Sequence, residues 1–148
     1  DLYETAKSAM QELTAPAELK NVSIQLEGTK TVIQGIPQLV SGIVFNLMDN
    51  AVKYNKDGGL VIVRLGEEKG QAVLTVTDTG IGISPEHQER VFERFYRVDK
   101  SHSKEIGGTG LGLSIVKHAA LILGAAIELD STVGKGTIVT VRFPMEKK

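Results

Sequence analysis

Apolar residues recur at helical spacing near the start of the chain, where Leu2, Ala6, Ala9, Met10 and Leu13 share a face. This predicts an opening helix over residues 2–20, interrupted by Pro16 and ending near Asn21. Alternation then takes over: Val22, Ile24 and Leu26 oppose polar neighbours, and beyond Gly28 a short run over 31–34 completes a predicted strand pair. From Pro37, which suits a first helical turn, to Asn55, a stripe of Val40, Val44, Leu47 and Ala51 flanked by Ile43 and Met48 marks an amphipathic helix. Residues 60–65 and 72–77 read as a hairpin across Glu67-Glu68-Lys69-Gly70. Ser84-Pro85-Glu86 opens a short helix ending near Phe95, and residues 97–109 are too poor in apolar side chains to join a core, so they are expected to be mobile. A helix over 111–123, closed by Gly124, and strands over 126–130 and 137–143 finish the chain. The sum is an α+β fold: a two-layer α/β sandwich whose mixed, mostly antiparallel sheet is covered on one face by about three helices.

Composition narrows the function classes. The 148 residues, 41% apolar and 24% charged, suit one globular domain. A net charge of -1 with both signs scattered gives no case for nucleic acid or a membrane surface as partner. The absence of cysteine removes disulfides, thiolate metal sites and thiol nucleophiles. No apolar run approaches the roughly 20 residues that span a bilayer. The chain has no initial Met and begins inside a helical pattern, which suggests a domain cut from a larger protein.

Three segments could carry chemistry. On the helix over 37–55, Asn46, Asn50 and Lys53 fall within about 60° of one another. Two carboxamides one turn apart can turn oxygens toward Mg²⁺, with an ammonium beside them for phosphate charge; the plainer reading is a solvated helix face. In Asp78-Thr79-Gly80-Ile81-Gly82-Ile83 a carboxylate ends a strand on the parity of Leu74 and Val76. It either accepts a ligand's exocyclic amine or caps the glycine turn. Gly107-Gly108-Thr109-Gly110-Leu111-Gly112-Leu113 brings bare backbone to a helix N-terminus, where phosphate binds, or forms a hinge. His87, His102 and His118 have no metal-ligand spacing.

Taken in order, these segments resemble the nucleotide-binding boxes of sensor histidine kinases. Asn46-Leu47-Met48-Asp49-Asn50-Ala51-Val52-Lys53-Tyr54 is similar to the N box and Asp78-Thr79-Gly80-Ile81-Gly82 to the first glycine box. Val91-Phe92-Glu93-Arg94-Phe95-Tyr96-Arg97 is similar to the F box and Gly108-Thr109-Gly110-Leu111-Gly112-Leu113 to the second glycine box. The resemblance spans residues 22–144 and implies the Bergerat fold shared with gyrase, the Hsp90 chaperones and mismatch-repair ATPases, with ATP and Mg²⁺ as ligands. By that resemblance Asp78 accepts the adenine amino group, beside Gly80, Gly82 and Ile83. Asn50, assisted by Asn46, holds Mg²⁺; Lys53 and Arg97 neutralise phosphates; and Tyr54 flanks the base. Gly108, Thr109, Gly110, Leu111, Gly112 and Leu113 bring backbone to the phosphates, with Lys100 and Lys104 as further contacts from a lid over 98–109. The family's acidic residue before the N-box helix is replaced around Gly35-Ile36, and its His-Gly-Gly after the last helix reads Leu123-Gly124-Ala125.

The related ATPases carry a glutamate at the position of Asn46 to activate water. An amide cannot be that base, so the resemblance implies transfer to another acceptor instead of rapid hydrolysis. No His-Glu-x-x phosphoacceptor segment occurs, so catalysis is expected to need a dimerising helical hairpin that carries the acceptor histidine, with a response regulator downstream. The domain alone is expected to be a monomer, cytoplasmic, with its parent held in the inner membrane. The competing expectations are a serine/threonine kinase of the anti-sigma-factor type and a nonenzymatic ATP-sensing module.

Overall fold

The computed structural model describes residues 2–28, 31, 33, 36–53, 55, 57–80, 112–132 and 134–144, with backbone alone at 112–115. Elements run in the order α1 (Leu2–Leu19), β1 (Ser23–Glu27), α2 (Pro37–Lys53), β2 (Leu60–Glu68), β3 (Gln71–Asp78), α3 (Gly112–Leu123), β4 (Ala126–Thr132) and β5 (Gly136–Pro144). The strands form one sheet in the order β1-β2-β3-β5-β4. Only β1 and β2 pair in parallel; the other neighbours are antiparallel.

Two-residue periodicity decides which face each strand buries. Val61, Val63 and Leu65 of β2, Ala72, Leu74 and Val76 of β3, and Val139, Val141 and Phe143 of β5 point to the helices and are buried. The opposite face carries ion pairs, with Arg64 paired to Glu27 at 2.8 Å and Arg142 reaching Glu128 at 3.4 Å and Glu68 at 3.5 Å. The helices form one layer, with α2 in the middle packed on both α1 and α3. On α2 the expected stripe is buried together with Val52, giving the helix contact on both flanks as well as beneath. Such burial contributes about 1.5–3 kcal/mol for each large side chain.

Three expectations change. First, the neighbour described for β1 is β2. Thr31 and Ile33 lie outside any strand, Val32 and Gln34 fall outside the described residues, and Thr31's carbonyl accepts the Leu2 N–H at 2.8 Å. The chain instead crosses through α2 and returns as β2 beside β1, with Ser23 opposite Leu60. Parallel neighbours require such a crossover, so strand, amphipathic helix and strand form a βαβ unit. Second, α1 runs through Pro16, which is exposed, so the backbone hydrogen bond that proline cannot donate is lost on the solvent side. The helix ends at Leu19 and is closed by Asn21, whose φ is 58°, with Val22 N–H bonded to Ala17 O at 2.8 Å. Third, the hairpin turn is shorter than its polar run: β2 continues to Glu68, and Lys69 and Gly70 make the turn with φ of 52° and 75°, the signature of a type I′ turn.

Gly124 is the cap expected for the last helix. It has φ of 71°, and Ala125 N–H closes onto Ala120 O at 2.8 Å. The helix expected after Ser84 and the segment 97–109 lie outside the described residues. Among the described residues no helix is long and apolar enough to cross a membrane.

Candidate functional site

The site gathers at one end of the sheet. Asp78 closes β3, which is the central strand and not an edge, on the same parity as Leu74 and Val76. It therefore faces the helical layer, opposite Val61 on one side and Thr137 on the other. Its Oδ1 accepts the Gly80 N–H at 2.9 Å, so the turn-capping reading of this carboxylate is realised. Burial raises its carboxyl above the ordinary value, opposed by backbone hydrogen bonds from Gly80 and Thr137. A carboxylate offers about four acceptor positions, so these bonds leave capacity for a ligand amine.

The α2 helix brings the second group. Asn46 is half-buried and its Nδ2 donates to Gly42 O at 2.7 Å, which commits the amide nitrogen to the helix and leaves an oxygen as acceptor for a cation. Asn50 is half-buried one turn on. The Lys53 ammonium is 2.9 Å from Asp49, an i, i+4 pair in the favourable order. Asp49 thus joins the polar arc and holds the lysine in place. The carbonyl of Lys53, at the C-terminus of α2, accepts a hydrogen bond from the Lys20 ammonium, and burial lowers that ammonium's pKa.

These two groups are joined by a third. Asn55, 3% exposed just beyond α2, donates from Nδ2 to Leu60 O at 3.1 Å, and its Oδ1 lies 3.2 Å from the Thr79 hydroxyl. Leu60 N–H in turn donates to Thr79 Oγ1 at 2.9 Å. The segment just beyond α2 and the end of β3 are therefore neighbours through Asn55 and Thr79. The α3 helix contributes direction. It turns straight into β4 at Ala126, opposite Arg142 and far from Asp78, so its N-terminus at Gly112 lies toward the Asp78 end. A helix N-terminus carries positive partial charge and open N–H groups. Tyr54, Gly82, Ile83, Arg97, Lys100, Gly108, Thr109, Gly110 and Leu111 lie outside the described residues, as does the side chain of Leu113.

Sequence reasoning missed the polar row beside Asp78. The Thr137 hydroxyl, facing inward next to it, is 2.7 Å from Ser131 Oγ, which also donates to Gly136 O at 3.0 Å. One signal was available: Thr137 breaks the apolar inward series Val139, Val141, Phe143. Among the described residues no cluster of three or more His, Asp or Glu could hold a metal on its own. A cation here would be shared with a ligand's own oxygens.

Residues 35–147 match the family of histidine kinase-, DNA gyrase B-, and HSP90-like ATPases. The chain belongs to this family. Within it the chain is a histidine-kinase-type ATP-binding domain, the catalytic ATPase part. It is 36% identical to the sensor histidine kinase RppB of Synechocystis over 98% of this chain and 32% of that protein. It is 42% identical to the phosphate regulon sensor protein PhoR of Pseudomonas aeruginosa over 84% of this chain and 28% of that protein. The domain thus spans about a third of the length of the curated relatives it matches. Among solved structures, the mycobacterial sensor histidine kinase MprB superposes with a TM-score of 0.85 at 30% identity, covering 100% of this chain and 97% of that one. Full-length ShkA, solved in complex with AMPPNP, shares the fold with a TM-score of 0.85 at 24% identity, over 100% of this chain and 31% of that one.

Proposed function

We propose that this domain binds Mg²⁺·ATP between α2 and the Asp78 end of the sheet, and that within its full-length protein it donates the γ-phosphoryl group to a histidine on a dimerising helical hairpin. The observation that supports this reading is the Asn55–Thr79 junction, which ties the end of α2, with its polar arc, to the end of β3, where Asp78 keeps free acceptor capacity.

Asp78 accepts the adenine amino group through the acceptor capacity left by its cap. Asn50 presents the main cation ligand and Asn46 assists through Oδ1. Bound Mg²⁺ would supply charge neutralisation at the phosphates. Lys53, held by Asp49, adds a second positive charge, and the α3 N-terminus adds a third, partial one. From the resemblance, Tyr54 flanks the base, Gly82 and Ile83 line it, and Arg97, Lys100 and the backbone from Gly108 to Gly112 close over the phosphates. No step here needs a strong base in the domain, and Asn46, an amide, cannot activate water. Phosphoryl transfer depends on positioning and charge, so the site favours transfer to a docked acceptor over hydrolysis.

The named relatives are sensor kinases, which supports a histidine acceptor over a serine and a response regulator as the next carrier. The test is phosphorylation of the hairpin from the same protein, supplied in trans with labelled ATP. Acid-labile label on its histidine is expected; acid-stable label on a serine would move the assignment to the serine/threonine class.

A further inference from the structure

The junction between the two halves of the site is a closed hydrogen-bond ring that none of the nucleotide assignments uses. Leu60 O accepts both Thr79 N–H, at 3.2 Å, and Asn55 Nδ2, at 3.1 Å, which fills its two lone pairs. Leu60 N–H donates to Thr79 Oγ1 at 2.9 Å. With Leu60 O filled, the Thr79 hydroxyl proton goes to Asn55 Oδ1 at 3.2 Å in preference to Leu60 O at 3.5 Å. Each bond in the ring fixes the sense of the next, so a single hydroxyl links the end of β3 to the turn between α2 and β2.

Each segment also has contacts of its own. Asp78 is fixed by its ladder partners Val61 and Thr137 and by the Gly80 N–H. The last turn of α2 is fixed by Met48, Ala51 and Val52 in the core and by Lys20 at its C-terminal carbonyl. The shared core packs α2 on β2 and β3, and to that undirected packing the ring adds directed polar bonds between the end of α2 and the end of β3. We propose that Thr79 is a positioning residue: its hydroxyl, held by Asn55 and Leu60, sets the separation between the base-reading end of β3 and the metal- and phosphate-facing end of α2. This rests on the nucleotide reading above. It adds that ATP, which must touch both halves at once, depends on Thr79 more than a ligand that touches one.

The experiment compares adenosine with Mg²⁺·ATP, both measured in competition with a fluorescent adenine nucleotide. Thr79→Val keeps the shape and removes the hydroxyl, taking the acceptor from Leu60 N–H and this donor from Asn55 Oδ1. It is expected to weaken ATP about tenfold while adenosine stays within about twofold, since loss of one such partner is worth about one decade. Thr79→Ser restores the hydroxyl and is expected to recover most of the ATP affinity. Thr79→Cys, of similar shape but a weak hydrogen-bonding partner, is expected to fall between and serves if the valine variant does not fold. Equal losses for the two ligands, or no loss of ATP in folded valine and cysteine variants, would overturn the positioning role while wild-type binding keeps the site reading intact. A wild-type domain that binds neither ligand overturns both.

Discussion

Replacing Gly136 with alanine tests whether β5 must touch the backbone of the candidate base-binding carboxylate. Gly136 opens β5 with φ of 121°, and a β-carbon there would sit 2.0 Å from the Asp78 carbonyl oxygen, 2.9 Å from its carbon and 3.0 Å from Thr79 Cα. These are backbone atoms in the central strand, so no side chain can swing aside. Either β5 draws away from β3 at Asp78 and Thr137, or Thr79 leaves Leu60. Overpacking of this kind costs about 1–3 kcal/mol and a side chain at this φ about 1–3 kcal/mol more. With roughly 3 °C of melting temperature per kcal/mol for a domain of this size, Gly136→Ala is expected to melt about 6–18 °C lower. Gly134→Ala supplies the control. It also has positive φ, 82°, but a β-carbon there meets nothing within 4 Å, so only the backbone strain applies. Thermal unfolding followed by circular dichroism reads both variants, and titration with ATP shows whether the Asp78 end has moved. If the two variants melt within about 2 °C of one another, the close approach of β5 to Asp78 is wrong and the reasoning fails.

Asp78→Asn is expected to abolish the preference for ATP over GTP in calorimetric titration, because the amide presents a donor where an amine must be accepted; retained selectivity would refute the assignment. The same variant isolates a pH effect. Burial raises the folded-state pKa of Asp78, so the folded chain binds the extra proton and this residue's contribution to stability is greatest below its unfolded pKa, near 4. It is lost as pH rises through the raised folded value, so the stability difference between wild type and Asp78→Asn should shift toward the variant with rising pH; a difference that is flat with pH would contradict the burial argument. Asn50→Ala should weaken nucleotide binding with Mg²⁺ more than without it, and equal losses would show that Asn50 supports the fold instead. Lys20→Met removes the ammonium from the α2 C-terminus and should lower stability by about 0.5–1.5 kcal/mol in urea unfolding, with no change in the denaturant slope; a variant as stable as wild type would show that the cap contributes nothing.

What could be read from the sequence divides by distance along the chain. The α2 stripe, the β2–β3 hairpin and the Gly124 cap depend on residues a few positions apart, and the pattern gave them nearly to their ends. The pairing of β1 with β2 was not among them, because β2 lies past a helix while local alternation pointed only to the run beyond Gly28. The same holds within the site. Asn46, Asn50 and Lys53 could be grouped by helical angle, and the Asp49 pairing was within reach by the same arithmetic. The Asn55–Leu60–Thr79 ring was not, since nothing in those three separated residues advertises a shared hydrogen-bond circuit until the strands are in register. Pro16 is a separate case: its effect depends on which side of α1 faces solvent, which is set by packing and not by its neighbours.

The two readings of Asp78, cap and base acceptor, need not compete. A half-buried carboxylate without donors would be costly before any ligand arrives, and the Gly80 N–H at 2.9 Å supplies one. That bond also restricts the side-chain torsions, so the oxygen not engaged by Gly80 is aimed before any ligand arrives. An unrestrained aspartate would lose that rotamer freedom on binding and give up part of its affinity. The opposing influences on its carboxyl follow from the same arrangement, since burial favours the proton while backbone N–H groups favour its loss. An amine donor from a ligand would act with the N–H groups, so binding should pull the carboxyl toward its ionised form. The glycine turn that makes Asp78 affordable in the empty fold is thus the same device that prepares it to discriminate an amine from a carbonyl.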